Sequence, residues 1–178
     1  MKIKRQKAFT LIELLVVVAI ISILTTAVLV NYRGNQAKET LNQALQGMVA
    51  DLRDAQNMAM NGVNVSSGYY GYGIYINIGS GGSINSYIIF GETQLNNYVY
   101  NSGVDAVIKK VDLPVNTKIQ AVSSTNNSAN IFFESPDPRV YLGVSPASSQ
   151  VTITLQSAVN ASLTRIVTVT DSGLIKNN

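Results

Sequence analysis

Residues Phe9 to Val30 read FTLIELLVVVAIISILTTAVLV, an apolar run whose one charge is Glu13. As a helix rising about 1.5 Å per residue, these roughly 22 residues cover about 33 Å, enough to cross a bilayer. A carboxylate on a lone spanning helix costs on the order of 2.5–3.5 kcal/mol near the centre and less near an edge. Glu13 therefore calls for a partner, and that partner is expected outside the chain. Ahead of the run stands MKIKRQKA, in which Lys2, Lys4, Arg5 and Lys7 precede the small residue Ala8. The basic leader favours the cytoplasmic side, so the chain downstream of the apolar run is expected on the far side of the membrane.

Downstream of Val30 the chain turns polar but keeps a helical rhythm. Leu41, Leu45, Met48, Leu52, Ala55 and Ala59 recur every three or four residues and line one face, and Gly62 stands just past them where a C-terminal cap belongs. One long helix from about Phe9 to Asn61 is predicted. Gly34 is its weak point, since Gly costs about 1 kcal/mol relative to Ala in a helix interior.

From Val63 the period changes to that of strands. Tyr70, Tyr72, Ile74, Ile76 and Ile78 point one way and Tyr69, Gly71, Gly73, Tyr75 and Asn77 the other. GSGGS at 79–83 reads as a hairpin connection into a strand around Ser86 to Phe90. Further short β-branched segments fit strands at Val107 to Val111, Lys118 to Val122, Asn130 to Glu134 and Val151 to Leu155, with a last one in TRIVTVTDSGLIK. Asp137, between Pro136 and Pro138, reads as turn chemistry rather than as a calcium ligand.

Composition narrows the function. The formal charge of +3 misleads: without the four leader cations, nine basic residues face ten acidic ones. No Cys or His is present. That excludes disulfides, thiol nucleophiles, histidine-based triads and the common nitrogen and sulfur metal sites. Glu92, Glu134, Asp137 and Lys109 show no catalytic spacing, so no catalytic residue, cofactor or metal is expected.

KAFTLIELLVVVAIISIL resembles the N-terminus of type IV pilins and pseudopilins. The resemblance implies that a prepilin peptidase removes residues 1–8 by cutting between Ala8 and Phe9, and that the new amine of Phe9 is methylated. Ala8 departs from the usual Gly before the cut, and Val30 stands where many pilins have Pro. An ordinary signal peptide cut near Ala27 and a plain anchor are the competing readings, and neither explains Glu13. ADLRDAQNMAMNG, YGYGIYI, NIFFESPD, VTITL and RIVTVTDSGLIK, in that order, are similar to the GspH/FimT-like branch of minor pilins and pseudopilins.

The expected architecture is then α+β and pilin-like: a leader at 1–8, a transmembrane and assembly helix at 9–34, and a globular domain at 35–178. In that domain the helix at 35–61 packs on antiparallel sheets from 63–178. The implied role is a structural subunit, at or near the tip of a type II secretion pseudopilus or a type IV pilus. It sits in the inner membrane before assembly, and its partners are other pilin subunits and the prepilin peptidase, with Glu13 directing assembly. The alternative is a binding module displayed by the filament for adhesion or DNA uptake. Nine tyrosines speak for it, whereas Arg165 and Lys176 beside Asp171 make a poor footprint for DNA.

Overall fold

The computed structural model describes residues 9–63, 68–79, 82–124, 126–136, 139–143 and 148–178, and for 27–34 the backbone alone. The chain divides into two compact units, Met1–Gln36 and Ala37–Asn178. Helix α1, Leu11–Met60, begins in the first and ends in the second. Its backbone stays helical through Val30 and Gly34. The expected cap is present: Gly62 has a φ of 58°, its N–H bonds Ala59 O at 3.0 Å, and Val63 N–H bonds Met58 O at 3.1 Å. This pair of bonds is a Schellman motif, which satisfies the last carbonyls of the helix.

In the second unit the strands are β1 Gly71–Asn77, β2 Ser86–Glu92, β3 Ala106–Asp112, β4 Thr117–Val122, β5 Ser128–Glu134, β6 Val140–Gly143, β7 Gln150–Ser157, β8 Thr164–Thr170 and β9 Ile175–Asn177. They form two antiparallel sheets, in the orders β3-β2-β1-β5-β6 and β4-β7-β8-β9. An isolated bridge between Ile84 and Ile119 ties the first sheet's β1–β2 connection to the second sheet. The fold is α+β, with a helix packed on antiparallel sheets. Leu41, Leu45, Met48, Leu52, Ala55 and Ala59 are all buried, in one cluster with Ile74, Ile131, Phe133, Ile153, Leu155 and Val167. The helical stripe is therefore the seam of the core, covered by both sheets.

Polar bonds fix the same face. Arg165 Nε donates to Asn42 Oδ1 at 2.9 Å, and Tyr87 Oη donates to Asp51 Oδ2 at 2.5 Å. Gln56 Nε2 donates to Gly173 O at 3.3 Å, and Ser135 Oγ donates to Ala59 O at 2.9 Å.

Three features depart from the sequence reading. Tyr70 does not share the buried face of Tyr72: it precedes β1 and is 41% exposed, its N–H bonded to Glu92 O. The terminal segment is two strands rather than one, because Gly173 takes a φ of 80° and turns the chain back. Strand β6 is new, and it pairs with β5 on the far edge of the first sheet. The segment around Asp137 lies outside the described residues, as do the middle positions of GSGGS.

The outer face of the first sheet is also covered. Register places Gly71, Gly73 and Tyr75 of β1 opposite Glu92, Phe90 and Ile88 of β2, and opposite Glu134, Phe132 and Asn130 of β5. The aromatic rings occupy the room that the glycines leave. A Cβ on Gly73 would lie 2.7 Å from the Phe90 ring and 2.8 Å from Ile131 O. Gly73→Ala therefore forces the ring and the β5 backbone apart. It is expected to lower stability by about 1–3 kcal/mol, read as a reduced denaturation midpoint with helix content unchanged.

Candidate functional site

Helix α1 opens on a side-chain cap. Thr10 precedes the helix and Glu13 is its third residue. Thr10 N–H and Thr10 Oγ1 both donate to Glu13 Oε2 at 2.9 Å, and Glu13 N–H bonds Thr10 Oγ1 at 3.3 Å. This reciprocal arrangement is a capping box. It is legible as Thr-x-x-Glu, and it gives Glu13 hydrogen-bond partners within the chain in addition to the one expected outside it. The orphan amide hydrogens and the positive end of the helix dipole stabilise a carboxylate there. Both Thr10 bonds fall on Oε2; among the described residues none falls on Oε1.

Around this cap every described side chain from Phe9 to Thr26 is exposed. Twelve of them, from Phe9 to Leu24, are large and apolar, and they point to all sides of the helix. At about 1.5–3 kcal/mol per side chain, covering them is worth on the order of 20 kcal/mol. No described residue of this unit supplies that cover.

The hydroxyls in the run are already satisfied. Ser22 Oγ donates to Val18 O, Thr25 Oγ1 to Ile21 O and Thr26 Oγ1 to Ser22 O, at 2.8–2.9 Å. Such back-bonding removes the need for water, so the segment is compatible with lipid or with a bundle of helices. Among the described residues no helix is long and apolar enough to cross a membrane. The described side chains of the apolar run end at Thr26, four residues short of Val30. Ala8 and the rest of the leader lie outside the described residues.

Elsewhere the acidic and basic candidates are dispersed. Lys109 makes a 3.4 Å ion pair with Asp51 of α1, and Glu134 accepts a bond from Tyr141 Oη at 3.0 Å. Glu92 is buried at the end of β2. No group of three or more acidic residues able to hold a metal occurs among the described residues. Arg165, a candidate for contact with DNA, spends its Nε on Asn42 and its Nη1 on Thr164 O.

Residues 3–29 match the prokaryotic N-terminal methylation motif. The match spans most of the leader, the capping box and most of the apolar run. The match covers 27 of the chain's 178 residues. No curated protein matches the chain. Among solved structures, two crystal forms of the type IV minor pilin FimU of Pseudomonas aeruginosa are similar to it, each at 16% identity with a TM-score of 0.48. They align over 78% of this chain and over 92% and 87% of the FimU chains.

Thr10→Val keeps the side-chain shape but removes both hydroxyl bonds of the box. Losing such a cap costs about 1 kcal/mol. Amide exchange in detergent micelles is expected to quicken about fivefold at Glu13, while amides beyond Ala37 keep their rates.

Proposed function

We propose that the chain is a minor-pilin-like structural subunit. Its leader, residues 1–8, is removed between Ala8 and Phe9 by a prepilin peptidase, and the Phe9 amine is methylated. Segment 9–34 anchors the subunit in the inner membrane and then joins a bundle of like helices. The domain 35–178 lies outside the cytoplasm, and the subunit sits at or near the tip of a type IV pilus or type II secretion pseudopilus.

One observation carries this reading. A helix apolar on every side, with a single capped carboxylate in its first turn, stands directly after a basic leader. Lipid covers the helix before assembly and neighbouring helices cover it afterwards. The cap does not use up Glu13: Oε1 and the net negative charge remain for the positive amine of a neighbouring Phe9. In a low-dielectric bundle each charge offsets the cost of the other, and the pair sets the axial register. Display of a DNA-binding surface is the weaker reading, because Arg165 is engaged in holding β8 to α1.

Two measurements test the reading. N-terminal mass spectrometry is expected to find a methylated Phe9; a mature end near Val28 would mark an ordinary signal peptide instead. Glu13→Leu makes the segment more apolar, so membrane insertion should be unharmed, whereas breaking a buried charge pair commonly costs about 3–5 kcal/mol. Recovery of the variant in sheared filaments should fall severalfold against total membrane protein. Equal recovery would show that Glu13 does not direct assembly.

A further inference from the structure

The connection from 93 to 105, between β2 and β3, is fastened at its base by two buried acids. Glu92 is 0% exposed and Asp105 is 6% exposed. Glu92 Oε1 accepts Gln94 N–H at 2.9 Å, and Asp105 Oδ2 accepts Asn101 N–H at 2.6 Å. Thr93 Oγ1 donates to Val104 O at 3.2 Å and draws the two ends together. The remaining oxygens, Glu92 Oε2 and Asp105 Oδ1, are buried with no hydrogen-bond partner, and the β2–β3 register, which pairs Gly91 with Ala106, sets the two acids across from each other.

Two carboxylates cannot bond to each other, because both only accept. A proton on one of them turns that group into a donor and removes the repulsion between two buried negative charges. A calcium ion takes six to eight oxygens, and only two free carboxylate oxygens meet here, so a proton is the better fit.

We propose that Glu92 and Asp105 share one proton when this connection is closed, and that losing the proton to solvent as pH rises frees the connection from the outer face of the first sheet. The step is COOH plus carboxylate going to two carboxylates and a released proton. What the connection covers is the aromatic layer. Tyr98 stacks on Tyr141 at 3.7 Å and lies 5.7 Å from Phe132; Tyr100 lies 5.3 Å from Phe90, and its N–H bonds Asn130 Oδ1 at 2.9 Å. Opening at the base would uncover Phe90 and Phe132 beside the glycines of β1, an apolar surface available for a neighbour.

The surroundings agree on the direction. Burial first, and the bond to Asp105 second, push the Glu92 carboxyl up to about 7, against the smaller opposing pull of Gln94 N–H. Glu134 occupies the same cross-strand row, on the other side of Gly71, and adds no positive charge. Tyr141 is pushed up to about 12, chiefly by its bond to Tyr98, and stays neutral throughout. Lys109 is paired with Asp51, Lys110 stands opposite Ile88 further along β2, and Arg139 lies beyond Glu134 at the start of β6. Because the folded value is raised above the usual 4.5, the closed form is fully favoured below that pH. That advantage is lost as pH rises through about 7.

Amide exchange on the full-length protein in detergent micelles tests this, with protection expressed relative to an unstructured peptide at each pH. Between pH 5.5 and 8.0, protection at Gln94, Asn101 and Tyr100 is expected to fall about tenfold or more, since from 5.5 to about 7 the closed form keeps a proton that the open form has lost. Ile153 and Val167 in the second sheet should hold constant. Glu92→Gln and Asp105→Asn each put an amide donor between the two groups, so either variant should keep full protection at pH 8.0. A flat profile in the unmutated protein, a parallel fall at Ile153 and Val167, or a persisting fall in both variants would overturn the proposal. So would protection at pH 8.0 that depends on calcium and is abolished by a chelator, since a cation rather than a proton would then join the acids.

Discussion

The structure depends on a single helix with two kinds of apolar surface. From Leu41 to Ala59 one face is apolar, and two antiparallel sheets cover it. From Phe9 to Leu24 every face is apolar, and no described residue of the unit that contains it covers it. The first surface drives folding of the chain. The second drives association with whatever surrounds it, and both arise from the same transfer of apolar area out of water.

Much of this is written into the sequence because helical periodicity is a strong local signal. The spacing of Leu41, Leu45, Met48 and Leu52 locates the core face, and Gly62 marks the cap where only a residue tolerant of positive φ fits without strain. Short strands are legible where β-branched residues alternate, as at Val151 to Leu155. The capping box of Thr10 and Glu13 is harder to weigh from sequence. The cost of a charge in lipid points toward a partner outside the chain, whereas the helix terminus itself already lowers that cost.

The outer aromatic layer is not legible, for a physical reason. Gly71 and Gly73 look like gaps on a face turned to solvent, yet they leave room for rings from β2 and β5, which are far apart in sequence. Tyr98 and Tyr100 sit in a connection without period, so nothing local shows that they return over the sheet. The Glu92 and Asp105 pair is hidden similarly: thirteen positions separate two acids that only the β2–β3 pairing brings together. Strand β6 is four residues long and reads as part of a turn-rich stretch.

The four polar bonds along α1 have a mechanical consequence. Taken in order down the helix, Asn42 holds the second sheet, Asp51 the first, Gln56 the second and Ala59 the first. A pull along the helix axis is therefore handed to both sheets at staggered points, in shear across a packed seam, instead of peeling one strand from its neighbour. Neither sheet can slide on the helix without breaking bonds at two levels. With no cysteine in the chain, this alternation braces the domain against such a pull without any covalent link.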